Sequence, residues 1–283
     1  MIQSLFSGVS GMLANQTEMD VIGDNIANAN TDGYKASTAN FTESFQQVST
    51  AATVNRPVGL SVGLGVNVES TTTDFTQGVF QTTNVPTDMG INGNGWFSVQ
   101  TVGGQNLLTR DGDFVEDSNG FLRTPDGAYL MGTMGTTAPV SPTAGSPPDQ
   151  IQIPATITGV GGAATPVVSF AVDSTGAITA TGQDGSTATI GYITLQNYSN
   201  NNGLVNVGNN YYQYAAAAGT NQYYQASQAG TGTIQTGVLE ASNVDLSTEF
   251  ANMIIAQRGF EASARLITVS DDMLQTVTNL KQS

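Results

Sequence analysis

Cysteine and histidine are both absent from this chain of 283 residues. Without them no Ser-His-Asp or Cys-His nucleophilic system forms, and no ordinary zinc, haem or iron–sulfur site. Positive charge is scarce as well: seven Lys and Arg stand against 22 Asp and Glu, for a net charge of -15. That balance offers no electrostatic footprint for nucleic acid. Charged residues of both signs reach only 10%, against roughly 25% in ordinary soluble domains. The lack of cysteine also fits a protein that works outside the cytoplasm without disulfides. Residues 1–34 contain no Lys or Arg and include Glu18, Asp20, Asp24 and Asp32, so the basic and apolar regions of a secretory signal are missing. No stretch approaches the roughly 20 apolar residues of a membrane span, and any export is expected to cleave no standard signal.

What is present differs between the ends and the middle. Leu5, Met12, Met19 and Ile26 recur every seven residues, with Ile2 and Val9 as a partner column until Gln16 interrupts it. At the other end Leu246, Met253, Phe260, Ile267 and Leu274 repeat the same period, flanked by Phe250, Ile254, Ala264 and Val277. Sustained heptads predict helices that pack against other helices. Asp245 is placed as an N-cap, Glu249 adds first-turn charge, and Gly259 implies a close neighbour. The middle reads as β. VGLGVNVES, GVFQTT, GWFSVQTV, FAVDSTGAITAT and TIGYITLQNY carry strand-like patterns, separated by Asn-Gly and Asp-Gly turns such as Asp111-Gly112, Asn119-Gly120 and Asp184-Gly185. The stretch GTTAPVSPTAGSPP, 135–148, is expected on the surface.

The fold class expected is α+β, with terminal helices forming a coiled-coil layer between subunits around a central mainly-β domain. The boundaries are a first helix over 1–33, a connector over 34–59, the β domain over 60–221, a second connector over 222–244 and a closing helix over 245–283. Termini that belong together while the middle projects outward describe a subunit of a tube.

Several segments resemble chemistry and fail its requirements. DGDFVEDSNG starts like a calcium loop but places Val115 and Glu116 where the loop needs an oxygen ligand and a glycine. GTGTIQTG lacks the Lys-Ser/Thr of a phosphate loop and reads as a Gly-rich turn. Asp271-Asp272 falls on a solvated helix face. The tyrosines of NNYYQYAAAAGTNQYY raise a rival of another class, a secreted carbohydrate-binding module, although a packed β edge or intersubunit surface explains them better. No catalytic residue, metal ligand or cofactor is expected.

SGVSGM followed by MDVIGDNIANANTDGYKAS resembles the N-terminal signature of the bacterial flagellar axial proteins, the rod and hook subunits. LEASNVDLSTEFANMIIAQRGFEASARLITVSDDMLQTVTNL is similar to that family's closing helix, and GLGVNVESTTTDFTQGVFQTTNVPTDMGINGNGWFSV and LTRDGDFVEDSNGFLRTPDGAYLMG resemble its centre. SNVDLS, IAQRGFEA and the GLGV…TDFTQG segment look most like a hook protein, here a short one without an extra outer domain; a distal rod subunit has the same domain plan and is the alternative. Asp24 and Ser263 depart from the family, which commonly has Asn at both, on faces where a neighbouring subunit is expected.

The resemblance implies a structural subunit that assembles with itself into a helical tube transmitting torque. Its partners would be other axial proteins (rod, hook cap, hook–filament junction) and the flagellar export apparatus, with no nucleic acid and no membrane insertion. Its location would be the extracellular hook or the basal body, reached without a cleaved signal. Leu5, Met12, Met19, Ile26, Leu246, Met253, Phe260, Ile267 and Leu274 would pack between subunits. The turn Asn25, Asn28, Asn30, Gly33, Tyr34 and Lys35 would close the first helix and redirect the chain, Asn28 and Asn30 bonding free carbonyls and Gly33 taking a positive φ.

Overall fold

The computed structural model describes residues 2–50, 60–135, 148–158 and 164–282. Its chain divides into two compact units. Met1–Ala29, Lys35–Asp74 and Val244–Ser283 make a helical unit, while Asn30–Tyr34 and Phe75–Asn243 make a β unit. The architecture is α+β, with a helix at each end and a mainly-β centre.

The helical unit is built on α1 (Ile2–Ala27) and α2 (Leu246–Gln282). Asp245 caps α2 as expected: its carboxylate accepts hydrogen bonds from the Ser247 amide at 2.9 Å and the Thr248 hydroxyl at 3.0 Å. The Thr248 bond, then that of Ser247, holds the Asp245 carboxyl below the usual range. At the end of α1 the Asn28 side chain donates to the Asp24 carbonyl at 2.9 Å. The same unit contains β1 (Ser37–Glu43), β2 (Gln46–Thr50), β3 (Leu60–Gly63) and β4 (Val66–Thr73). β1 pairs antiparallel with β4, and β2 with β3. The two ribbons lie end to end, joined by Ser44 N–H to Gly65 O at 2.8 Å and Leu64 N–H to Phe45 O at 3.0 Å.

Two stretches read as connectors thus hold strands in their described residues: 34–59 holds β1 and β2, and 222–244 holds Tyr223–Gln225, Thr233–Thr236 and Val238–Glu240. β1 and β2 are mostly polar and the other three are only three or four residues long, so strand pairing rather than side-chain pattern defines them. The GTGTIQTG segment, read as a turn, is half strand, pairing Thr233–Thr236 with Met89–Asn92. Most of the Pro-rich stretch at 135–148, and residues 51–59, lie outside the described residues.

Among the described residues of the β unit thirteen strands form one sheet. Its main path runs Thr156–Thr158, Ala164–Val172, Ala177–Gly182, Thr187–Gln196, Tyr129–Met134, Trp96–Gln100, Asn106–Thr109, Tyr211–Gln213 and Val205–Gly208, each antiparallel to its neighbours. Alternation decides which side chains go inward. Along Ala177–Gly182, for example, Ile178 and Ala180 are buried and Ala177 and Thr179 are not. Phe97, Phe114, Leu130, Ile178 and Ile193 centre the core, with Phe97 and Phe114 edge to face at 5.4 Å. The Asn119-Gly120 and Asp184-Gly185 turns close hairpins as read. Asp111-Gly112 does not: it lies in an irregular segment after Asn106–Thr109. The tyrosines are largely consumed by packing, with Tyr211, Tyr212 and Tyr223 buried, and Tyr212 seated against Trp96 at 4.8 Å.

One charge pair lies inside this unit. Arg110 donates to the Glu240 carboxylate at 3.2 Å and to the carbonyls of Ile91 and Gly93 at 3.4 and 2.9 Å. Glu240 also accepts the Gly78 amide at 2.9 Å, and the guanidinium lies 5.5 Å from the Trp96 ring centre. Breaking a buried pair by removing one partner leaves an uncompensated charge, at about 3–5 kcal/mol. Glu240→Ala is therefore expected to lower the unfolding free energy of the β unit by about 3–5 kcal/mol, and its melting temperature with it. Glu240→Gln, which keeps an acceptor for Gly78, should lose less, and calorimetry of both variants checks the order.

Candidate functional site

The surface that the sequence marks out is the helix pair and the turn beside it. The two helices pack on each other within one chain, and they do so through small residues. A side chain at Gly8 would lie 2.9 Å from Ile267 and 3.2 Å from Leu266, and one at Gly11 would lie 2.9 Å from the Ser263 hydroxyl. Ser4 and Ser270 are hydrogen bonded at 3.2 Å. Gly259 has the close neighbour expected of it: the Asn15 amide fills the space where a side chain would stand. Ser263, expected to face a neighbouring subunit, is instead turned to Gly11 of its own chain. Small residues let the backbones approach closely, as they do in tightly crossed helices.

This contact explains where the heptad residues fall. Leu5, Met12, Met19, Ile26, Met253, Phe260, Ile267 and Leu274 are half-buried, flanking the small-residue contact, and Leu246 is exposed. Other large apolar side chains face outward from both helices. Phe6, Val9 and Leu13 are exposed on α1, and Phe250, Ile254, Ile255, Val269, Met273 and Val277 on α2. Sequence reasoning gave Val9 as part of the seam's partner column and Phe250, Ile254 and Val277 as its flanks, and missed Phe6, Leu13 and Ile255. Phe6, Val9 and Leu13 recur at helical spacing on one side of α1, as do Val269, Met273 and Val277 on α2.

Within the helical unit Asn25 ties three segments together. Its amide donates to the Ser37 carbonyl at 2.8 Å and accepts from the Ser37 amide at 2.9 Å, and it reaches Glu249 of α2 at 3.3 Å. Glu249 is buried, and burial raises its carboxyl above the usual range against the lowering bond from Asn25. Lys35 is buried as well. Asn28 bonds a free carbonyl as expected, whereas Asn30 is exposed and neither residue takes a positive φ. The α1 stop needs no left-handed residue because the turn is made farther on.

Gly33 makes it. It sits at φ 70°, and a side chain there would come within 2.6 Å of the Asp111 amide nitrogen. The Gly33 amide donates to the Glu240 carbonyl at 2.6 Å, and the Asn210 side chain donates to the Asp32 carbonyl at 2.9 Å. Asn30–Tyr34, with Tyr34 buried, is thereby part of the β unit. The docking gathers carboxylates. Burial, then Asp113, Asp32 and Asp126, pushes the Asp111 carboxyl up to about 6, although its bond from the Asp113 amide pulls the other way. Asp32 and Asp113 are raised too, first by burial and then by neighbouring acids. Among the described residues no group of three or more acids is placed to hold a metal ion.

A carboxyl whose folded pKa lies above its unfolded value near 3.8 stabilises the fold when protonated, so stability falls as pH rises through that window. The β unit should therefore lose stability between about pH 4 and 6. Asp111→Asn keeps the acceptor for Asp113 and removes the charge. It should raise the melting temperature at pH 7 and flatten the slope across that window, as melting curves over a pH series would show.

Comparisons with known proteins bear on the same segments. Residues 5–35 match the family model for flagella basal body rod protein, and 235–280 that for the flagellar basal body rod FlgEFG protein C-terminal region. Residues 90–180 match the flagellar hook protein FlgE/F/G D1 domain. The flagellar basal-body rod protein FlgG of Bacillus subtilis is 35% identical over all of both chains. That of Borreliella burgdorferi is 33% identical, again over the whole of each. The flagellar hook protein FlgE of Helicobacter mustelae is 47% identical, over 47% of this chain and 31% of its own. With likeness running end to end through both helices, the turn and the β unit, the chain belongs to the flagellar rod and hook protein family, the axial structural proteins of the bacterial flagellum.

Proposed function

We propose that this chain is a subunit of the distal flagellar rod, assembling with copies of itself and with other axial proteins into a tube. The observation that carries the choice of rod over hook is coverage. Relatives named as rod proteins align over their whole length and over all or 99% of this chain, whereas the hook relative aligns over less than a third of its own. The local likeness of the hook-type motifs reflects a part that both kinds of subunit share. The role is structural, and the expected absence of catalysis and cofactor follows from that role.

In this reading the half-buried heptad columns and the outward apolar face of α1 and α2 meet neighbouring subunits. Burying a Leu, Ile or Phe side chain contributes about 1.5–3 kcal/mol, so several per interface would hold a polymer. Export would be through the flagellum's own secretion channel, without a cleaved signal.

Electron microscopy of basal bodies from a deletion strain tests the assignment. A distal rod subunit should leave a truncated rod with no hook, and antibody against the chain should label wild-type rods. A full-length rod lacking only its hook would restore the hook reading. A further check is Ile254→Asp on the outward face, which should abolish assembly while the β unit keeps its melting temperature.

A further inference from the structure

We propose that the Phe45 ring of one subunit seats in the groove between α1 and β4 of a second copy of this chain, latching neighbouring helical units together. The inference rests on the axial-subunit reading above, in which copies polymerise. Phe45 is 83% exposed, more than any other large apolar side chain among the described residues. Its backbone is not a loose loop. It lies at the joint of the two ribbons, pinned by Leu64 N–H to Phe45 O at 3.0 Å and Ser44 N–H to Gly65 O at 2.8 Å. A large ring held outward on ordered backbone loses little freedom on docking, which is what favours an anchor residue.

The groove that suits it lies in the same unit. Leu13, Ala14 and Thr17 of α1 face Val66 and Val68 of β4 around about 120 Å³. A closed apolar cavity of roughly 150 Å³ accepts benzene, so an open groove of this size fits one ring. Its hydroxyls are already spent: Thr17 donates to Leu13 O at 3.0 Å, and Ser10 donates to Ser7 O at 3.0 Å while accepting the Val66 amide at 3.3 Å. The Asn67 side chain, which also lines the groove, is exposed to solvent, and an apolar guest strands neither hydroxyl.

Charge and symmetry both favour a second copy as the occupant. Each chain carries -15, so two copies repel over much of their surface and meet at neutral patches. No ionisable residue lines the groove, and none occurs in Ser44–Thr50. Knob and socket are different places on one unit, and a head-to-tail contact of that kind propagates into a helical polymer instead of closing as a dimer.

The test is assembly in cells, measured as the amount of chain recovered in purified rods. Phe45→Ser should reduce it roughly tenfold or more, the size of effect expected when a buried ring is lost from an interface, while Phe45→Leu stays near wild type. Thr17→Phe, which plugs the socket from within, should reduce it as Phe45→Ser does. Soluble Phe45→Ser and Thr17→Phe chains should melt as wild type does, so that lost assembly is not lost folding. Assembly of either variant at the wild-type level overturns the latch and leaves the axial reading standing. A wild-type chain missing from the rods overturns both.

Discussion

The close approach of α1 and α2 is the constraint from which the rest of the helical unit follows. Gly8, Gly11 and Gly259 face Ile267, Ser263 and Asn15 across it, so the helices meet through their smallest residues. Two consequences are geometric. A large residue enters so narrow a contact only opposite a glycine, as Ile267 does at Gly8, and most of the others flank it or point away. The bulky residues that a monomeric helix pair would bury in its centre, Phe6 and Ile255 among them, stand in solvent instead. A chain that hides glycine and serine and displays phenylalanine and isoleucine is arranged for a partner. The glycines cost helix propensity, about 1 kcal/mol each relative to alanine, and the packing they permit offsets that cost.

The β unit solves a different problem with few charges. Its core is closed by alternation and aromatic contacts, and one cation is spent inside it. Arg110 satisfies Glu240 and two carbonyls, and Glu240 satisfies Gly78. The pair thus joins the end of Asn106–Thr109 to Val238–Glu240, the last strand before the chain returns to the helices. The Glu240 carbonyl in turn accepts the Gly33 amide. One residue near the end of the β unit therefore holds both its interior charge and the short segment that arrives from α1.

Much of this was legible in the residues, for identifiable reasons. The helices, the Asp245 cap, the Gly33 turn and the main strands each carry a local signal: period seven, a capping side chain, a glycine, alternation. What was not legible depended on distance across the fold. Arg110 and Glu240 sit 130 positions apart, and neither looks unusual until the sheet brings them together. The same holds for Asn25 and Glu249, and for Ser263, whose partner Gly11 comes from the other end of the chain. β1 escaped because Thr, Ser and Asn on a strand with no buried position produce no hydrophobic period to read.

The helical unit is stitched from three separated stretches, Met1–Ala29, Lys35–Asp74 and Val244–Ser283, and this sets an order of events. A unit whose first helix finds its packing partner more than 200 residues later cannot close until nearly all of the chain is available, and such long-range closure is slow. The β unit suffers no such delay beyond its own span. If the chain is exported through a narrow channel, as proposed above, α1 and α2 reach the far side at opposite extremes of the transit, whichever end leads. On that reading the face proposed for assembly is completed last, at the destination, and a half-delivered chain has no finished surface with which to polymerise on the way.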